Sequence, residues 1–342
     1  MVRRAGRIVV MAIAAVVIGG VVFLLALRAG VTRPAGDPSS PPVLIEVGHG
    51  QAFSVLVGRL AEEGLISSPW AVKLFASMRG YDRRVQTGTY QFNAGEQPVE
   101  ILARLMAGDV LTTDVTVPEG YNMWEIAAAF ESANIDSVDM VTAIMDEAVL
   151  SERRIAAPTL EGYLFPDTYR LRWGATAQDA REMMLARLDE VFGVELFQRA
   201  VEMDMTPHEV LTLASIIEAE SRVPEERARI SSVYHNRLRR RMRLEADPTV
   251  AYAMGGYKGR LLYADLEIDS PYNTYRRRGL PPGPICSPGE ASIRAALYPD
   301  STADDLYFVA RGDGSHIFST TLKEHNAAVQ KVRREQRLGP GK

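Results

Sequence analysis

A chain of 342 residues, 46% hydrophobic and 24% charged, is long enough for roughly two globular domains and excludes wholesale disorder, collagen and fibrous repeats. Of its 39 Lys and Arg, five (Arg3, Arg4, Arg7, Arg28 and Arg33) precede position 34 with no acid among them, so the rest carries 34 bases against 43 acids, a net charge of −9. That balance argues against a nucleic-acid partner, whose phosphates are gripped by Lys and Arg. The single cysteine, Cys286, excludes an intrachain disulfide and a thiolate metal cage.

Ile8 to Leu27 is a run of twenty residues without a charge, rich in Val, Ile, Leu and Ala. At about 1.5 Å per residue a helix of that length crosses the roughly 30 Å hydrocarbon layer of a bilayer. Three arginines precede it and two follow, so the positive-inside rule puts residues 1–7 in the cytoplasm and everything after the 8–27 span outside. A cleaved signal peptide would have a shorter apolar core and a better processing site than Leu27-Arg28-Ala29-Gly30. Residues 28–42, rich in Pro, Gly and Ser, read as a short extended tether.

From Val43 the alternating VLIEV predicts a strand, FSVLVGRLAEEGLI and PWAVKLFASMRG predict helices, GTYQF a second strand and PVEILARLMAGD a third helix. A strand in TTDVTVPEG and helices in MWEIAAAFESANI and SVDMVTAIMDEAVL complete a first region, taken as 43–150. The second, 151–342, opens with the aromatic LEGYLFPDTYRL and a helix through AQDAREMMLARLDEVF. Thr206-Pro207-His208-Glu209 is a capping box with Pro at the first helical position, so a helix starts there and runs to about Ser221. Pro224 opens another helix. Asp247-Pro248 is read as an N-cap and start of a short one ending at Gly255-Gly256. LYFVAR and HIFST form a hairpin around Gly312-Asp313-Gly314-Ser315. The whole is an α+β protein behind one transmembrane helix.

Spacing at 100° per residue puts Val210, Leu213, Ala214 and Ile217 on the buried stripe of the capped helix, with Glu218 and Glu220 on its opposite shoulders. Residues two apart do not face each other, so the two glutamates cannot flank one cleft. Either can be a proton donor with its pKa raised by desolvation, or a boundary residue with its head in water. Helix geometry does not choose between them. Arg237, Arg239, Arg240, Arg241 and Arg243 complement the helix dipole and nearby acids, or else contact an anionic lipid or polymer. No histidine pair has metal-ligand spacing. His316 and His325 meet only if the fold brings them together, so neither a metal nor any other cofactor is expected.

Several long segments occur in one order: EGYLFPDTY (161–169), ASIIEAES (214–221), VYHNRL (233–238), ADPTVAYAMG (246–255), SPYNTYRRRGLPPGPICSPG (270–289) and LYFVARGDGSHIFSTTLKEHN (306–326). Together they resemble the endolytic murein transglycosylase, or YceG-like, family. The resemblance implies a LysM-like binding module at 43–150, a catalytic domain at 151–342, and lytic cleavage between N-acetylmuramic acid and N-acetylglucosamine in peptidoglycan. The family's catalytic glutamate is the first in its ASI-x-E motif, here Glu218. Asp247, Thr249, Asn273, Thr274 and Tyr275 are then expected in the walls of a saccharide cleft, and Glu161 stands in another motif. Many relatives have Gln where this chain has Glu245, which would allow a hydrolytic muramidase using Glu218 and Glu245. Non-catalytic glycan binding within the cell-wall machinery is the other alternative. The implied partners are glycan strands and cell-wall synthases, and the implied location is the cytoplasmic (inner) membrane, single-pass, with the catalytic domain outside.

Overall fold

In the computed structural model, which describes residues 2–256 and 261–338, the helix holding the charge-free run does not stop where the run does. It spans α1 (Val2–Thr32). Its apolar side chains from Val10 to Leu25 are largely uncovered, whereas Leu27 and Val31 are buried in a hydrophobic core. Gly30 makes this possible, because a Cβ there would overlap Ala71. The segment predicted as a tether is also packed. Gly36 N–H donates to Ala94 O (2.8 Å), Asn93 Nδ2 donates to Ser40 O, and Gly95 lies against Pro38. Backbone hydrogen bonds therefore replace the expected slack.

The chain divides into two compact units: residues up to Thr113 together with Leu171–Gly174, and Asp114–Arg170 together with everything from Ala175. In the first, β1 (Val43–Val47), α2 (Phe53–Glu62), α3 (Pro69–Arg79), β2 (Gly88–Phe92) and α4 (Pro98–Ala107) follow the predicted β-α-α-β-α order. β1 and β2 pair antiparallel, Val43 opposite Phe92 and Val47 opposite Gly88. Alternation turns Ile45 and Val47 inward with Tyr90 and Phe92, and these meet Leu56, Leu60, Ile101 and Leu105 from the helices. Tyr90 satisfies its hydroxyl on Gln86 O at 2.8 Å.

β3 (Thr112–Thr116) pairs with a strand at Thr168–Arg172, and the division passes through this sheet. The second unit continues with α5 (Met123–Phe130), α6 (Ser137–Ile144) and α7 (Glu147–Glu152), capped by Asn122, Asp136 and Asp146. A boundary at 150 cuts through this unit. Arg181 binds Ala143 O (3.1 Å) and Asp146 (2.8 Å), and Leu160 N–H donates to Ile144 O, ties between residues too far apart in sequence to appear as local pattern. After the strand at Thr168–Arg172, here β4, comes α8 (Ala177–Glu202), bent at Gly193, where φ is 44° and ψ is −179°.

α9 (Pro207–Glu220) starts at the predicted capping box, Thr206 with Glu209. More than a stripe of it is buried, because Val210 to Ile217 are all inside. Helices covered on every side lose the one-sided pattern that spacing arguments read. Around it lie α8, α10 (Arg227–Arg239), α11 (Asp247–Ala253) and α12 (Glu290–Leu297). α12 is not predicted by the sequence reading, which leaves its residues in a Pro- and Gly-rich loop. β5 (Tyr307–Ala310) and β6 (His316–Ser319) form the expected antiparallel hairpin, and α13 (Leu322–Leu338) follows.

Candidate active site

Glu218 occupies the last turn of α9, where the helix emerges from its sheath: Ile217 is buried and Ala219 exposed. Its side chain is 8% exposed. Gly289 N–H donates to Oε2 at 3.1 Å, and Arg227 Nη2 lies 3.5 Å from Oε1. Arg227 Nε is buried without a hydrogen-bond partner among the described residues. A third wall is the Pro118-Glu119-Gly120 turn. Gly120 has a φ of +80°, and a Cβ on it would stand 3.9 Å from Glu218 Cγ. Gly120 N–H donates to Ser287 O and Ser287 N–H to Tyr121 O, both at 2.8 Å, which stitches this turn to the loop ending at Gly289. Three stretches thus converge on one carboxyl group, and two of them, 118–120 and 287–289, are distant from it in sequence.

Beside it opens a cavity of about 360 Å³ lined by Glu119, Tyr121, Asn122, Ala219, Tyr252 and Cys286. Ring centroids of Trp124 and Tyr252 are 5.9 Å apart and those of Tyr252 and Tyr272 are 4.9 Å apart, a row of aromatic surfaces of which Trp124 is exposed. Such faces cover the apolar sides of sugar rings, with polar groups between them fixing orientation. Glu161 lies behind the wall, buried, and accepts the Met123 amide at 3.1 Å; burial pushes its carboxyl up to about 7. Cys286 is buried with Sγ 3.3 Å from Ser215 O, and burial raises its thiol well above the ordinary value, so it is a packing residue.

The other shoulder of α9 has different company. Burial and then the Asp247 charge push Glu220 up to about 7, and Tyr234 Oη donates to it at 3.3 Å. A cavity of about 330 Å³ here is lined by Glu220, Asp247, Glu245, Tyr275, Phe308 and His316, among others. Tyr275 Oη donates to Asp247 at 2.6 Å, and Glu245 pairs with Arg237 at 3.2 Å. Glu245 therefore joins the Glu220 side, held in a left-handed conformation at φ 50°. Asp247 is the first residue of α11, with Ala246 in the N-cap position that the sequence assigns to Asp247.

Three of the expected cleft residues are buried and turned onto the protein. Asn273 Nδ2 donates to Leu266 O (2.9 Å) and Ile268 O (2.8 Å); the Thr249 and Thr274 hydroxyls meet at 2.9 Å, and Thr274 Oγ1 accepts Ala246 N–H at 3.0 Å. Their observed work is to bind the 269–275 loop to the start of α11. Arg237 is also a staple, its guanidinium donating to Leu306 O and Leu244 O at 2.7 Å, rather than part of a free basic patch. His316 pairs with Glu226 at 2.7 Å and His325 stacks on Tyr307. Among the described residues no group of three His, Cys, Asp or Glu is placed to hold a metal ion. Glu119, Arg227 and Gly289 were not predicted as site residues. The only local signal was a Pro-Glu-Gly turn before a capped helix.

A mixed helix-and-strand unit built around a buried helix that presents one glutamate beside an aromatic-lined cavity is the setting of a glycan-processing enzyme. The chain belongs to the YceG-like family, whose sequence profile matches residues 45–331. It is 35% identical over 317 residues to the endolytic murein transglycosylase of Bacillus subtilis strain 168, covering 87% of each chain. The endolytic murein transglycosylase of Streptococcus pneumoniae R6 is 29% identical over 360 residues, which span 92% of this chain and 64% of that longer protein. The 2.6 Å crystal structure of a yceG-like protein from Listeria monocytogenes superposes with a TM-score of 0.59 at 31% identity, covering 84% of this chain and 99% of that one.

Proposed function

We propose that the protein is an endolytic peptidoglycan transglycosylase, a lyase acting on polysaccharide, with Glu218 as its acid and base. The observation that carries this reading is the seat of Glu218: a carboxyl at the open end of a buried helix, fixed by the Gly289 amide and Arg227 beside a sugar-sized cavity. Protonated Glu218 gives its proton to the glycosidic oxygen as the bond from the muramoyl anomeric carbon to that oxygen breaks. As carboxylate it then takes the proton of the muramoyl C6 hydroxyl while that oxygen closes on the anomeric carbon. A 1,6-anhydro end results and no water is consumed, so one carboxyl serves where a hydrolase needs two. Glu245, the second acid a muramidase reading would need, faces Arg237 and the Glu220 cavity.

Digestion of purified glycan strands, followed by mass spectrometry of the new ends, tests this. Anhydro ends, one water lighter than reducing ends, are expected. Glu218→Gln should lower kcat by about 10²–10⁴, the usual worth of a general acid–base group. Reducing ends, or full activity in that variant, would sink the assignment.

The exposed apolar length of α1 and the arginines before it support a single-pass anchor in the cytoplasmic membrane with the rest outside. Two antiparallel strands flanking two helices support a LysM-like, glycan-binding first module. Held at the membrane, the enzyme would cut strands as they are made and end their elongation, next to cell-wall synthases. Crosslinking in intact cells that recovers no synthase would remove the partnership.

A further inference from the structure

The Pro118-Glu119-Gly120 turn brings a second carboxyl to the seat of Glu218. We propose that Glu119 is a positioning residue of the reaction, one that shares a single proton with Glu218 and keeps it available for the glycosidic oxygen. The inference rests on the reading of Glu218 as the acid and adds to it a partner that no motif named.

Gly289 serves both groups. Its amide donates to Glu218 Oε2 at 3.1 Å, and its bare Cα is where Glu119 lies, since a Cβ there would overlap the Glu119 carboxyl group. Gly120, next in the chain, approaches Glu218 Cγ, and the two hydrogen bonds between the turn and Ser287 keep it there. Glu119 remains open to the cavity on its other side, so protons and substrate reach it.

Charge counting sets what such a pair does. Arg227 lies 3.5 Å from Glu218, and its positive charge also acts on Glu119, opposing the rise of that carboxyl. The other charged groups nearby are engaged: Glu125 in the capping box of α5, and Glu290 in a 2.7 Å pair with Arg294. One guanidinium against two carboxylates leaves an excess negative charge, which a single retained proton removes. Two carboxyls that feel each other's charge release their protons in steps that belong to the pair. Consistently, Glu119 is raised from its ordinary value by shielding in the wall and next by Glu218, with Arg227 opposing. A general acid needs its proton at working pH, and a neighbouring carboxylate is one way to keep it there.

The test is the pH–rate profile of glycan cleavage by the full chain. Activity of a general acid falls on the alkaline side as its proton is lost. Glu119→Gln should move that limb down by about one pH unit, so that activity falls about tenfold above neutrality and recovers in mild acid. Glu119→Asp, which keeps the charge, should restore most of the lost limb. Gly289→Ala, at an ordinary φ of −75°, should displace the Glu119 carboxyl and shift the limb the same way. An unmoved limb in both Glu119→Gln and Gly289→Ala, or a loss equal at every pH, would overturn the proposal. So would reducing ends that vanish in Glu119→Gln, because Glu119 would then be the base of a hydrolase. Glu218→Gln separates the two claims: full activity there removes the acid assignment whatever Glu119 does.

Discussion

Glu218 and Glu220 are two residues apart, and their surroundings divide their roles. The sequence placed both on shoulders of one helix, and that much is seen; which shoulder meets a donor amide and a close-packed glycine turn depended on loops about 70 and 100 residues away. Glu119 was invisible for the same reason, since a turn has no periodicity from which to read the direction of a side chain. Thr249, Asn273 and Thr274 show what residue type alone leaves out. Hydroxyl and amide groups suited to sugars also suit the backbone, and here they are spent on it. Buried Glu161 allows a prediction. Its carboxyl is pushed from 4.5 up to about 7 in the folded protein, so the native state holds a proton that the unfolded chain has released. The stability it contributes is complete below about pH 4.5 and is lost as pH rises through about 7. Glu161→Gln should therefore melt higher than the wild type at pH 8, by the equivalent of about 3 kcal/mol, with the advantage vanishing near pH 4. Melting curves across that range check it, and a constant difference would disprove it.

Among the elements, those with strong end signals were legible: α9 from its capping box, and α2 to α4 from amphipathic spacing and from Gly80 and Gly108, both left-handed, at the ends of α3 and α4. α12 was not, because eight residues behind Pro288-Gly289 offer no side-chain cap and little more than two turns of pattern. It forms by packing on α9. Its approach loop is fixed from the other side by Gly162, at φ +77°, against which the Pro284 ring closes so tightly that a Cβ would overlap it. Gly162→Ala thus meets two penalties, a left-handed backbone and a clash with a rigid ring. A loss of more than about 2 kcal/mol in urea denaturation is expected, and glycan cleavage should fall with it because the same loop carries the Gly289 amide. An unchanged urea midpoint would show that the loop yields.

For the whole molecule, composition separated a basic-flanked apolar helix from an acidic remainder, and patterning recovered the αβ order of the first unit. The tether and the boundary at 150 failed because both depend on contacts across long stretches of chain: Gly36 to Ala94, Arg181 to Ala143. A practical consequence concerns truncation. A chain starting at Ala26 keeps Leu27, Gly30 and Val31 in the core of the first unit, whereas one starting at Val43 removes two buried apolar side chains and a packed strap. Burial of that kind is worth about 1.5–3 kcal/mol per side chain, so the shorter chain should lose several degrees in the melting of its first unit. Equal melting of the two would show that the helix end contributes nothing.

The same feature bears on life at a membrane. With α1 inserted as proposed, the last turns of the spanning helix are also part of the first unit's core, and Trp70 touches Phe23 of the span at 5.9 Å between ring centroids. Such a unit has no leash. It would ride on the lipid surface at a fixed height and turn only as the helix turns, so its encounters with glycan would be set by two-dimensional diffusion of the anchor and by whatever delivers the strand.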